Sequence, residues 1–193
     1  MRGRRVGREG LAELIAIPAL SDGTFAVRPW RETDIDIAQA MLADPLIPRY
    51  TSIAADQTRD RTAAWVAKHA ELAEADSAYY VAIADAMTDA FLGSSGIERS
   101  ADDPAIGEIG YWLGASARGR GAARSAVRLL VDWGFETMGL ARLEITAHPD
   151  NEASQRVALA CGFQREGVLR SWRPHGDGRD DLVMFSLLPS DPR

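Results

Sequence analysis

The order of its predicted elements places this chain in the mixed α/β (α+β) class, a sheet covered by helices on both faces. Two observations predict this. Strand-like segments outnumber helical ones, in the order β-α-α-β-β-β-α-β-α-β-β. Only some strands are joined through helices, whereas a doubly wound nucleotide fold would alternate strictly. A length of 193 residues, 46% hydrophobic and 26% charged, is enough for one domain with one substantial core. That domain is expected to span 21–193, preceded by a flexible or poorly ordered extension over 1–20 whose first ten residues carry four arginines.

Thr24 to Arg28 alternates and reads as a strand. Thr33 or Asp34 can cap the following helix, which carries Ile35, Ala38, Met41 and Leu42 at helical spacing, and Pro45 and Pro48 break it. Thr58 to Ala75 reads as one helix, with Ala64, Trp65, Lys68 and Leu72 on one face. Tyr79 to Ala84 and Phe91 to Ile97 form a strand pair around the polar stretch Asp85 to Asp89. The acidic loop Ser100 to Pro104 then leads into a strand over Ile106 to Leu113. A helix over Ala122 to Met138, a strand over Leu143 to Ala147 and a helix over Glu152 to Ala160 closed by Gly162 follow. Phe163 to Arg170 and Leu182 to Leu188 read as a last antiparallel pair turning through Gly176-Asp177-Gly178.

Composition bounds the function. No apolar run reaches the roughly 18–20 residues of a membrane span. Glu13 and Pro18 interrupt the segment that a secretory signal would keep apolar. The single cysteine, Cys161, precludes an intramolecular disulfide and fits a cytoplasmic location. A net charge of −6 argues against nucleic acid as a partner. His69, His148 and His175 are scattered without metal-ligand spacing, so no metal is expected.

The segment Arg118-Gly119-Arg120-Gly121-Ala122-Ala123 lies between a predicted strand and a predicted helix. A diphosphate needs several N–H groups pointing one way, and a helix N-terminus supplies them with a favourable dipole. Gly119 and Gly121 let the backbone approach without a Cβ, and Arg118 and Arg120 add charge-assisted contacts. Neither a P-loop nor a G-x-G-x-x-G fingerprint fits, because no lysine is near and Arg124 stands where the third glycine would be. A plain glycine turn with solvated arginines fits the same residues, as does an RNA-contacting arginine patch.

Glu108-Ile-Gly-Tyr-Trp-Leu precedes this turn, and Asn151-x-x-Ser154-x-Arg-x-Ala-x-x-x-Gly-Phe follows it. Together the three motifs resemble the GNAT superfamily of acyl-CoA-dependent N-acyltransferases. Val27-Arg28-Pro29-Trp30, Glu166-Gly167-Val168-Leu169-Arg170 and Gly178 to Leu187 are similar to its RimJ/RimL-type branch of ribosomal-protein N-terminal acetyltransferases. The resemblance covers roughly Ser21 to Leu188. It implies a mostly antiparallel twisted sheet that splays where acetyl-CoA, the co-substrate, is bound. It also implies that the main chain of Arg118, Gly119, Arg120, Gly121, Ala122 and Ala123 holds the pyrophosphate. Trp112, Leu113 and Gly114 would offer backbone groups to pantetheine, the Trp112 amide facing the thioester carbonyl. Asn151 would bond the pantetheine arm.

The same resemblance puts Glu108 where several members carry a catalytic base, and Ser154 where a hydroxyl serves the leaving thiolate. Glu108 reads equally as a cross-strand polar residue, and Asn151 and Ser154 as helix caps. The glutamate that some ribosomal-protein acetyltransferases carry after Glu-Gly-x-Leu is Arg173 here, so that base is not carried over. Trp30 and Trp172 are the aromatic candidates for an acceptor cleft, Trp65 and Trp112 fit either cleft or core, and Trp133 and Cys161 read as core. Asp102, Asp103, Asp180 and Asp181 could attract a cationic acceptor or simply be solvated. The implied acceptor is a primary amine, on a protein N-terminus or a small molecule. Edge strands leave room for a homodimer. A non-catalytic acyl-CoA sensor would keep the turn without needing Glu108 and Ser154.

Overall fold

The structure, a computed structural model, describes residues 16–176 and 178–192. Its strands are β1 (Leu20–Ser21), β2 (Phe25–Arg28), β3 (Ala78–Asp85), β4 (Phe91–Arg99), β5 (Ile106–Leu113), β6 (Arg142–Ala147), β7 (Gln164–His175) and β8 (Gly178–Leu187). Its helices are α1 (Glu32–Leu42), α2 (Leu46–Tyr50), α3 (Arg59–Ala67), α4 (His69–Glu74), α5 (Ala122–Glu136) and α6 (Glu152–Ala160). The strands form one sheet in the order β1-β2-β3-β4-β5-β6-β8-β7. Every pairing is antiparallel except β5 with β6, which the α5 crossover makes parallel.

The mixed sheet with helices on both faces is as the sequence predicts, and the limits of β5 and α6 coincide with the sequence reading. Four features differ. The helix over 58–75 breaks at Lys68, where the Lys68 N–H bonds back to Trp65, and His69 of α4 turns in to meet the Trp65 ring at 4.2 Å. Pro48 lies inside α2 rather than ending a helix. It sits in the first turn, where its missing N–H would have had no partner. Asp34 is not an N-cap; Arg31 is, and Asp34 accepts the Arg31 N–H from the third helical position. The β7–β8 hairpin is longer than predicted, and Asp177 of its turn lies outside the described residues. Of the expected extension, 1–15 also lies outside them; Ile17 and Leu20 pack on the core and Leu20 pairs with Val27.

Helices α5 and α6 cover one face of the sheet. Val127, Leu130 and Val131 of α5 recur at helical spacing and meet Ile97, Ile109, Leu143 and Ile145, all of them buried. Truncating such a leucine to alanine typically costs about 2–5 kcal/mol. Trp133 packs edge-on against Tyr79 in this core, as its helical spacing predicts. On the other face Ala38, Leu42 and Ile47 of α1 and α2 pack on Ala82, Phe91 and Trp112. Arg28 anchors that layer. It is buried, makes a two-pronged contact with Asp34 at 2.7 and 3.0 Å, and reaches Asp89 of the β3–β4 turn at 2.7 Å. Removing one member of a buried pair strands the other charge, at about 3–5 kcal/mol. The pair fixes where α1 and the neighbouring Trp30 lie on the sheet.

His69 gives this layer a pH dependence. Its ring is buried between Trp65 and Tyr80, and burial pulls its pKa down to about 4 from 6.5. The folded state therefore favours neutral His69, so the unfolded chain binds more protons as pH falls. Stability is complete above pH 6.5 and declines between 6.5 and about 4, by on the order of 2–3 kcal/mol from this group. Denaturant titrations of His69→Phe, which keeps an aromatic ring there, should lose most of that slope.

Candidate active site

The site begins where β5 and β6 part. Ile106 pairs with Arg142, Gly107 with Leu143 and Glu108 with Glu144. Beyond Glu108, β5 stays with β4 as far as Leu113 while β6 stays with β8 as far as Ala147, so a wedge opens between them. Alternation along β5 sends Glu108, Gly110 and Trp112 to the α1 face, and Ile109 and Tyr111 to the α5–α6 face.

Glu108 lies at the apex of the wedge. The Thr146 hydroxyl donates to its Oε1 at 2.6 Å, and Arg173 Nη2 approaches the same oxygen at 3.4 Å. Both side chains of the ion pair are partly open to solvent. On the opposite face Ser154 Oγ lies 2.8 Å from Tyr111 Oη, and that phenol also donates to the Ser154 carbonyl at 3.3 Å. Burial pushes the Tyr111 hydroxyl up to about 12, so it stays protonated and able to donate. Asn151 caps α6, its side-chain oxygen accepting the Ser154 N–H at 3.1 Å.

The turn before α5 leaves backbone donors free. Gly119 and Gly121 take φ of +74° and +93°, a region in which a side chain is strained, and Gly121 is the residue at the N-cap of α5. The first intrahelical bond runs from Ser125 to Gly121, which leaves the amides of Ala122, Ala123 and Arg124 outside the helical ladder. They border a cavity of about 490 Å³ between α5 and α6, lined also by Leu113, Gly119, Arg120, Ala153, Arg156, Val157 and Ala160. Its charged lining residues are all arginines, Arg120, Arg124 and Arg156. Donors and charge suit a diphosphate.

Two expectations need correction. Arg118 does not reach towards this cavity. It folds back to donate to the Leu113 carbonyl at 3.2 and 2.9 Å and pairs with Asp44 at 2.8 Å, so it braces the turn. The Gly114 N–H is already given to Leu92 of β4 at 3.0 Å. By the alternation of an antiparallel ladder the Trp112 peptide also faces β4, and the peptides that face the wedge are those of Ile109, Tyr111 and Leu113. The Trp112 amide is thus turned away from the position expected of an oxyanion donor.

A second cavity, of about 380 Å³, lies on the α1 face and is lined by Trp30, Leu42, Ser52, Ile53, Ala54, Gln57, Arg61, Thr62, Trp65 and Trp112. Trp30, an aromatic candidate for an acceptor cleft, lines this cavity. Trp172 is 53% exposed on the hairpin and does not line it. Cys161 is buried, and its burial pushes the thiol up to about 11, the opposite of an activated nucleophile. Among the described residues no three His, Cys, Asp or Glu gather as metal ligands, and no helix is long and apolar enough to cross a membrane. Sequence reasoning missed Tyr111 and Thr146. Tyr111 is signalled only by its place on the strand opposite in sense to Glu108, and Thr146 only by a long-range parallel register.

Residues 25–164 match the acetyltransferase (GNAT) domain family. An uncharacterized N-acetyltransferase, p20, from Bacillus licheniformis is 30% identical over 164 residues, which cover 85% of this chain and 92% of that protein. The ribosomal-protein-serine acetyltransferase of Escherichia coli is 35% identical over 81 residues, 42% of this chain and 45% of that one. A solved RimL, a ribosomal L7/L12 alpha-N-protein acetyltransferase in complex with coenzyme A, shares the fold with a TM-score of 0.77 at 19% identity, over 89% of this chain and 97% of that one.

Proposed function

The chain belongs to the GNAT acetyltransferase family and resembles its RimJ/RimL-like branch, and from that premise we propose that it transfers an acetyl group from acetyl-CoA to a primary amine by direct attack in a ternary complex. The acceptor is a protein or peptide N-terminus or a small-molecule amine, met in the cytoplasm. One observation carries this reading: the two candidate catalytic groups stand on opposite faces of β5, where β5 and β6 part. A thioester in the wedge presents its carbonyl to an amine on the Glu108 side and its sulfur to the Ser154–Tyr111 side.

The α5 amides of Ala122, Ala123 and Arg124, with Arg120, Arg124 and Arg156, hold the diphosphate of the co-substrate. An α-amine has a pKa near 8, so near neutral pH most of it is protonated and cannot attack. Glu108 takes that proton, directly or through water. The tetrahedral intermediate develops an oxyanion within reach of the wedge-facing peptides of β5. Glu108 passes that first proton to solvent and takes the second from the attacking nitrogen. The C–S bond then breaks, and the leaving thiolate takes a proton through the Ser154 hydroxyl, a proton that Tyr111 and then solvent replace. The test is thiol release from acetyl-CoA by the purified protein with a panel of amines and short peptides. Acceptor-dependent release supports the proposal; coenzyme A binding without release from any acceptor counts against it.

A further inference from the structure

We propose that the tryptophan-lined cavity on the α1 face receives an apolar group attached beside the acceptor amine, so that the preferred acceptors are amines flanked by a bulky apolar side chain. The proposal rests on the amine-acetyltransferase reading and names the acceptor class within it. Three observations lead to it. The Trp112 wall of the cavity and the candidate base lie on the same face of β5. Glu108, Gly110 and Trp112 follow one another on that face, and a Cβ placed on Gly110 would meet nothing within 4 Å. Gly110 lies midway, about 7 Å along the strand from each of Glu108 and Trp112, so an amine held over Gly110 within reach of the Glu108 carboxylate faces the Trp112 wall across that distance.

Three tryptophans form the apolar part of the wall. Trp30 stands 5.5 Å from Trp65, edge to face, and 6.5 Å from Trp112, with Leu42 and Ile53 completing the lining. Of the polar side chains at the rim, those of Gln57, Arg61 and Thr62 are engaged with other protein groups. The Thr62 hydroxyl donates to Gln39 at 3.3 Å and to the Thr58 carbonyl at 3.1 Å, and the Gln57 amide donates to Thr62 at 3.4 Å. Arg61 pairs with Asp56 at 2.9 Å. Trp30 Nε1 is a buried donor without a partner in the structure. What the cavity offers a ligand is therefore mainly indole surface. At about 380 Å³ it falls near the lower end of the ~300–1,000 Å³ of small-molecule sites, room for one large side chain and not for a run of residues.

The experiment compares kcat/KM for glycinamide, leucinamide and phenylalaninamide at saturating acetyl-CoA, in the wild type and in Ala54→Phe. Ala54 lies on an exposed loop lining the cavity, so the new ring fills it without entering the core. Single apolar groups discriminate by about 10–200-fold in such pockets. The wild type should favour leucinamide and phenylalaninamide over glycinamide by at least about 10-fold. Ala54→Phe should remove that preference while leaving glycinamide and the KM for acetyl-CoA unchanged. Equal rates for the three amides, or a variant that slows all three alike, overturns the proposal. Binding of N-acetylphenylalaninamide, followed by quenching of tryptophan fluorescence, separates this failure from that of the reaction itself. Binding to the wild type and not to Ala54→Phe supports the pocket even without turnover, and no binding to either overturns it.

Discussion

Replacing Glu108 by Gln should lower kcat by about 10²–10³-fold near neutral pH while leaving the KM for acetyl-CoA within about twofold. Glutamine keeps the size of the side chain and can still accept the Thr146 hydrogen bond now made at 2.6 Å, so the wedge keeps its shape. What it loses is the ability to take a proton. The KM is spared because the diphosphate cavity lies between α5 and α6, on the other face of the sheet. The deficit should also shrink with rising pH. An α-amine with a pKa near 8 is mostly neutral by pH 9 and needs no base, so the wild-type and variant profiles converge there. A lysine-type acceptor, with a pKa near 10.4, would keep them apart to higher pH, and the convergence point thereby reports the acceptor class. A variant as fast as the wild type at pH 7 would remove Glu108 from the mechanism and leave water to take the proton.

What could be read from the sequence depended on whether the physics was local. The β5 strand and the α6 helix were legible because alternation, the Asn151 cap and the closing glycine all act within a few residues. The glycine turn was legible because two positive-φ positions before a helix need the residue that tolerates them. The role of Arg118 was not, because its partner Asp44 belongs to the α1–α2 connection, far away in the chain. Nor was the direction of the Trp112 and Gly114 peptides, which depends on how β5 pairs with β4 and not on residue type. The wedge follows from a parallel register that ends after three pairs, a property of two strands separated by a whole helix. The tryptophan-lined cavity is assembled from the β2–α1 connection, α1, the α2–α3 connection, α3 and β5. Only its individual tryptophans were visible beforehand, without a sign of which would meet.

Ser154→Ala and Tyr111→Phe should each slow transfer by about 10–100-fold, and the double variant should be little slower than the slower single one. The two hydroxyls are 2.8 Å apart, so removing either breaks the same proton path to the sulfur, and effects of groups that act as a unit do not add. A free thiol has a pKa near 8.5, so at pH 7 a thiolate that leaves without a proton leaves at a disadvantage. Capping alone predicts a different pattern. Asn151 caps α6 through the Ser154 N–H, which alanine retains, so Ser154→Ala should change stability by less than about 1 kcal/mol. Asn151→Ala removes the acceptor and should cost about 1 kcal/mol whatever it does to the rate. Denaturant midpoints and kcat measured on the same four proteins therefore separate the two roles. If Ser154→Ala loses stability and keeps its rate, Ser154 belongs to the helix and not to the chemistry. If it keeps stability and loses rate in step with Tyr111→Phe, the two hydroxyls form one donor, and sulfur departs on the α6 side of the sheet as the amine attacks from the α1 side.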